Sequence, residues 1–331
     1  MGNLINPYNN INWNNVTLVP SCSHEHGIIQ ATTDHLVAGG LRHIQLSNYY
    51  PSAPWYPINE YFTIPEGVIS SPNAEHHNFN IENMHCNGLG SFFESGSPQG
   101  QSPVGFAGAL WQYAFDKILS ALQFEDAGGI TINHPHWSRW AGTGHPTNKE
   151  ICEMLDYDNR VLGVEFYNGT CEHAFVEPVG WDLDTWDAIL QTGRRCWGFC
   201  VADHEGESTS NWTGRNILIV DEFTEHACLK AYRNGRFYGK IHNTDLRFES
   251  IVLENNQVDV TTNNAEYINF IVDGDYNRIS GSSATFTVPS DATYIRIEAH
   301  TSEDSIFSNP IIFRVHENRD GGTGKKMLIL E

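Results

Sequence analysis

Histidine comes in bursts in this chain, and the bursts follow short apolar runs. Twelve of the sixteen histidines fall before residue 205, most of them in His24-Glu25-His26, Glu75-His76-His77, His85, His134-Pro135-His136 and Asp203-His204. The runs ahead of them, among them Val16–Val19, Val68–Ser71, Gly129–Asn133 and Cys196–Ala202, read as β-strands. A lone histidine is usually a surface or hydrogen-bonded core residue. A repeated strand-then-ligand order is different: it requires a fold that gathers several strand ends on one face, where such folds build metal sites.

Between these strands lie segments with helical spacing, including 106–124, 149–155, 185–192 and 222–234, so strands and helices alternate up to about residue 235. That alternation is the α/β signature, and about seven units suit a closed barrel. After Gly239 the texture changes: cysteine disappears and histidine thins out. Short β-type runs follow at Ile251–Leu253, Val258–Thr261, Tyr267–Val272, Ala284–Val288, Tyr294–Glu298 and Ile311–Val315, separated by turn residues such as Asp273-Gly274. The expected division is a metal-binding α/β unit over 1–240, a small β-sandwich-like module over 241–317 and a polar tail over 318–331.

Charge narrows the partners. Lys and Arg number 19 against 40 Asp and Glu, a net charge of −21, which repels long DNA or RNA. A small anion remains acceptable, because bound divalent cations reverse the local field. No run of about 18 apolar residues exists, and the asparagine-rich start lacks a basic region followed by an apolar one. Neither a membrane span nor a secretory signal is therefore expected. Seven cysteines without framework spacing read as buried, reduced thiols, and the expected compartment is the cytoplasm.

The order of the ligand-type residues resembles the PHP superfamily, named for the polymerase and histidinol phosphatase domain, of metal-dependent phosphoesterases. His24-Glu25-His26 matches its first motif, Glu75 its metal-bridging carboxylate, His85 and His134 its next histidines, and Asp203-His204 its last motif. The resemblance spans residues 16–240. It implies a distorted (β/α)7 barrel, with His24, His26, Glu75, His85, His134, Asp203 and His204 holding two or three divalent metal ions. Two departures are visible. The second strand ends in Ser47-Asn48-Tyr49 where the family has Thr-Asp-His, and Asp203-His204-Glu205 stands for Asp-x-His. Either His204 takes the ligand role or Glu205 does.

Mixed imidazole and carboxylate ligands suit Zn, Mn or Fe, not Mg or Ca. A carboxylate such as Glu75 can bridge a pair of ions, which grips phosphoryl oxygens and lowers the pKa of a bound water so that hydroxide attacks phosphorus. The expected activity is hydrolysis of a small phosphorylated metabolite or nucleotide. Besides Glu75, the expected catalytic residues are His136, to orient substrate or donate a proton, and Arg139, to grip phosphate; Arg194 and Arg195 are further anion candidates. Tyr49, Tyr50, Trp55 and Tyr56 are candidates for the pocket wall. Two other readings stand: an amidohydrolase-like enzyme, which a bridging lysine (Lys117, Lys149, Lys230 or Lys240) would favour, and a metal-bound scaffold without turnover.

Overall fold

The computed structural model describes residues 4–49, 51–77, 79–81, 83–95, 110–137, 145–173, 179–204 and 213–316. Up to residue 240 the described elements are β1 (Thr17–Cys22), α1 (Gln30–Ala38), β2 (His43–Ile44), β3 (Ile69–Ser70), β4 (Glu75–His76), β5 (His85–Leu89), α2 (Trp111–Ser120), β6 (Gly129–Asn133), α3 (Asn148–Tyr157), β7 (Val161–Asn168), α4 (Gly169–His173), α5 (Leu183–Leu190), β8 (Trp197–Val201), β9 (Arg215–Val220), α6 (Glu225–Asn234) and β10 (Phe237–Lys240). Local chemistry sets several boundaries. Thr147 and Glu150 form a reciprocal capping box at the start of α3, and Thr224 accepts from the Ala227 amide at the start of α6. Gly235 closes α6 in the left-handed conformation at φ 70°, and a Cβ there would meet the Trp197 ring at 2.7 Å.

The chain is mixed α/β, but its hydrogen-bonded sheets do not close into the expected (β/α)7 barrel. One sheet runs β4-β5-β6-β7-β8, antiparallel from β4 to β6 and parallel from β6 to β8. A second contains β10-β9-β1-β2-β3, antiparallel through β1 and parallel beyond it. The reason lies at two seams. Strands β3 and β4 are only two residues long and do not pair, and no helix separates them among the described residues. At the other seam a side chain stands in for the ladder: Asn216 Oδ1 accepts from the Cys200 amide at 3.1 Å.

The C-terminal region is all-β: β11 (Phe248–Glu254), β12 (Gln257–Thr262), β13 (Tyr267–Val272), β14 (Asp275–Ser280), β15 (Ser283–Thr287), β16 (Tyr294–His300), β17 (Ser305–Ser308) and β18 (Ile311–Ile312). Strands β11-β12-β15 form a small sheet. The others extend the second sheet, because β17 pairs with β10, giving the order β14-β13-β16-β17-β10-β9-β1-β2-β3 with β18 on β16. Apolar faces of the two sheets meet in one core, with Phe248, Ile251, Val258 and Val260 against Ile268, Phe270, Ile295 and Ile297. Another core lies under the helices, where Trp186 stacks on Phe166 at 4.9 Å.

A buried ion network joins α5 to the β region. Fully buried Arg296 donates to both oxygens of Asp187, at 2.7 and 2.8 Å, and also to Glu298; Tyr294 donates to Asp187 as well. All seven cysteines are free thiols, six of them buried. No helix among the described residues is long and apolar enough to cross a membrane.

Candidate metal centre

The segment carrying His24 and His26 lies just beyond β1 and is held mostly by side chains. Asn73 and Asn87 both donate to the Ser23 carbonyl, and Asn216 donates to the Ser23 hydroxyl. Ser47 accepts from the Glu25 amide, and Asn48 accepts from and donates to the backbone of Gly27 at 2.9 and 2.8 Å. Backbone bonds from Asp203 N to His24 O and from His26 N to Asp203 O lock the segment to the end of β8. Both ends of the Asn48 amide are thus spent on the backbone.

Five of the expected ligand residues form two overlapping triads that could each hold an ion: His24, Glu75 and His134, and His24, His26 and Asp203. All five are buried. His24 Nε2 lies 3.5 Å from Glu75 Oε1 and 3.3 Å from Asp203 Oδ1, and His26 Nε2 lies 3.0 Å from Asp203 Oδ1 and 3.4 Å from Glu75 Oε2. His134 Nε2 is 3.5 Å from Glu75 Oε1. The other two adjoin them: His85 Nδ1 is 2.9 Å from Glu75 Oε1, and the His204 ring packs on His26 at 4.3 Å with its Nε2 3.4 Å from Asp203 Oδ1. All seven therefore meet in one cluster.

These spacings fit a metal. Ligand atoms bound at about 2.1 Å in a tetrahedron or octahedron stand about 3.0–3.4 Å from one another. The second nitrogen of His24 strengthens the case. Its Nδ1 is 2.7 Å from Glu165 Oε1, which leaves Nε2 as the nitrogen that faces the cluster and could bind an ion on losing its proton. Glu165 Oε2 accepts from the His134 amide and from Asn168, whose amide group also donates to Asp203 Oδ2. Asn133 donates to Glu75 Oε1. Every carboxylate in the cluster is thus oriented by a neighbour, as ligating groups are. His134 and Asp203 have positive φ values of 23° and 72°, unusual for residues other than glycine, and both sit where a strand hands its last side chain to the site.

Electrostatics follow from this crowding. Burial disfavours a charged His24, but Asp203, Glu165 and Glu75 outweigh it and raise its pKa well above 6.5. His26 and His134 also rise, against burial, through Asp203 and Glu75 and through Glu75 and Glu165 respectively. The imidazoles in turn pull Glu75 and Asp203 far below the usual carboxylate range, again against burial. Without metal, protons on imidazole balance the carboxylates; a divalent ion offers the same compensation. Burial, with a smaller push from nearby carboxylates, raises the thiols of Cys86 and Cys171, so neither is an activated nucleophile.

The remaining expectations divide. His136, two residues beyond His134, is half-exposed, its Nδ1 held by buried Asp182, with Thr185 also in contact. Arg139, Tyr50 and Glu205 lie outside the described residues. Arg194 and Arg195 do not face the site: Arg194 pairs with Asp156, and Arg195 donates to the carbonyls of Asn159 and Val161 beside the start of β7. Tyr49 does wall the site, its ring edge-on to His26 at 4.7 Å and His77 at 5.4 Å. Trp55 instead stacks on Tyr61 and Phe62, and Tyr56 donates to Glu225. Sequence reasoning sees Glu165 in the Val161–Phe166 strand, and Asn168 and Asn133 beside its motifs, but gives neither them nor Asp182 a role at the site. The signal for Glu165 was present, a carboxylate inside the apolar run Val161–Phe166, which a buried strand does not carry without a partner.

No protein-family model matches the chain, and no curated protein does. Among solved structures it is similar to the crystal structure of a two-domain protein from Bacteroides vulgatus that contains a predicted PHP-like metal-dependent phosphoesterase. The likeness has a TM-score of 0.44 and 13% identity, and covers 96% of this chain and 92% of that one. At that score and identity it assigns neither a family nor the role of any residue.

Proposed function

We propose that the protein is a metal-dependent phosphoesterase that hydrolyses a small phosphorylated metabolite or nucleotide. The observation that carries the metal part is the meeting of His24, His26, Glu75, His85, His134, Asp203 and His204 at ligand-to-ligand spacing around a carboxylate with both oxygens engaged. The phosphoester part rests on the motif order in the sequence. In this reading the seven residues would hold two or three Zn, Mn or Fe ions, with Glu75 as the carboxylate common to the cluster. His24, His26 and Asp203 would form one triad, and His24, Glu75 and His134, with His85 adjoining, the other. When bound, such ions polarise phosphoryl oxygens and activate water. Glu165 and Asn168 keep the ligands aimed. In the same reading His136, steadied by Asp182, hydrogen-bonds substrate, and Arg139 supplies a phosphate grip. The division at residue 240 belongs to the same reading, with 241–317 as a supporting module.

The lysines speak against the amidohydrolase alternative. Lys149 is exposed beside Glu153, Lys117 lies over Tyr113, Lys230 pairs with Asp126, and Lys240 is engaged by Thr244, Leu246 and Asp304. The deciding experiment measures metal content and turnover of phosphate mono- and diesters by wild type beside Glu75→Ala. The expected result is turnover that needs a transition-type ion and drops by several orders of magnitude in the variant. Equal rates in both would place the hydrolysis elsewhere. A fully metallated wild type inert across the ester panel would overturn the phosphoesterase reading.

A further inference from the structure

Five of the seven candidate ligands are sealed, with side chains 0 to 7% exposed, whereas His85 and His204 reach solvent at 20 and 23%. A molecule approaching the cluster therefore meets these two rings first. An aromatic side chain stands beside each of them. Trp137, whose amide donates to the His134 carbonyl at 2.8 Å, sets its ring 5.3 Å from the rings of both His85 and His134. Tyr49 lies edge-on to His26 and His77, with His204 at 6.5 Å. The rings of Trp137, His85, His77, Tyr49 and His204 thus follow one another at centroid distances of 5.3 to 6.5 Å.

These two aromatic rings are not core fillers. Trp137 and Tyr49 are half-buried, and among the described residues neither belongs to an apolar core, whereas Trp55 and Phe93, also half-buried, each pack against one. Their apolar surface is spent beside the ligands that face solvent. Small-molecule sites commonly combine aromatic walls with a few polar or metal groups that fix orientation. A planar ring set offset or edge-on against such walls gains more than its buried area alone would give. The phosphoryl group of a substrate would be drawn to the cluster, which leaves the group attached to it beside Trp137 and Tyr49. Resting on the phosphoesterase reading above, we propose that the substrate is a phosphoester whose alcohol part carries a planar aromatic ring, and that Trp137 and Tyr49 select for that ring.

The first test is binding without turnover. The full chain loaded with Mn is titrated by calorimetry with phenyl-, cyclohexyl- and methylphosphonate, whose P–C bonds are not hydrolysed. Phenylphosphonate should bind about 3- to 10-fold tighter than cyclohexylphosphonate, which has similar bulk but no π-face. In Trp137→Ala at equal metal content that ratio should fall to near one, and Trp137→Phe should restore it. A merely structural role would lower all three affinities together and leave the ratio alone. Should Trp137→Ala fail to fold or to take up metal, Tyr49→Leu gives the same reading. Turnover then separates the sources of the ring: phenyl phosphate carries it next to the ester oxygen, adenosine 5′-monophosphate beyond a ribose, and either should exceed ribose 5-phosphate. Equal binding of phenyl- and cyclohexylphosphonate, a ratio unchanged in the variants, or ribose 5-phosphate hydrolysed at least as fast as both aromatic esters would each overturn the proposal. A fully metallated chain that binds no phosphonate would remove the phosphoesterase reading itself, and this inference with it.

Discussion

Glu165 divides its two oxygens between the ring of His24 and the backbone of His134, so one residue sets the aim of two ligands. Glu165→Gln should keep the fold but put an amide where the carboxylate fixes the His24 tautomer. The expected outcome is a loss of metal affinity of about 10- to 100-fold, read by competition with a chromogenic chelator. Retained affinity would make Glu165 a packing residue. A different histidine answers to pH. His43 is buried between the Ser21 and Ser71 hydroxyls, and burial lowers its pKa from 6.5 to about 3. The unfolded chain therefore binds a proton there that the folded chain refuses, and stability falls as pH drops from about 6.5 towards 3. Below pH 6.5 this group should remove about 1.4 kcal/mol per pH unit. Urea unfolding of His43→Gln at pH 7.5 and 5.5 should show a correspondingly flatter pH dependence, and an unchanged slope would show that other groups govern it. The contrast between His43 and His24 marks what could be read from the sequence. Both are histidines near a strand end, yet His24 joins the cluster with His85 and His134, whereas His43, like His76 of the Glu75 burst, ends on serine hydroxyls. The residues that orient Asp203, Glu75 and His136 were not legible, because Asn168, Asn133 and Asp182 act across 35 to 58 positions of chain.

Among the elements, those with a one-sided apolar pattern or a cap were readable and those defined by neighbours were not. Helix α6 follows its Thr224 and Gly235 signals, and six of the eight C-terminal strands coincide with β-type runs. Strand β14 was missed because it lies at the edge of its sheet, with the polar sequence Asp275–Ser280 and only β13 beside it. Strand β17 is four residues long and is defined by pairing with β10 and β16. The barrel expectation failed for the same reason, since whether the ends of a sheet pair is a long-range property that local alternation does not encode. The contact of α5 with β16 is testable as an element-scale bond. Removing Arg296 leaves Asp187 and Glu298 buried without their cation. Arg296→Ala should therefore destabilise the chain by about 3–5 kcal/mol in chemical unfolding, far more than a surface substitution. A loss below about 1 kcal/mol would mean that the network is solvated and does not hold α5 in place.

On the scale of the whole molecule, the candidate metal ligands come from both large sheets: His24 and His26 follow β1, whereas Glu75, His85 and His134 come from β4, β5 and the end of β6. An ion held between them braces the open seams, so ligand binding and folding are coupled. Saturating Zn or Mn at about 100 times its Kd should add about 2.7 kcal/mol of stability, visible as a rise in Tm that chelator reverses, and each ion bound near pH 7 should release protons from the raised imidazoles. No shift in Tm with any divalent ion would argue that the cluster is a hydrogen-bonded core. The sheet that runs from β14 to β3 has a consequence of its own. Because β17 is hydrogen-bonded to β10, and β10 through β9 to β1, heat cannot melt the C-terminal strands without stripping a partner from β10, which lies in the same sheet as the strand that leads to His24. Scanning calorimetry should accordingly record a single endotherm whose van't Hoff and calorimetric enthalpies agree, as for one cooperative unit despite the two textures of the chain.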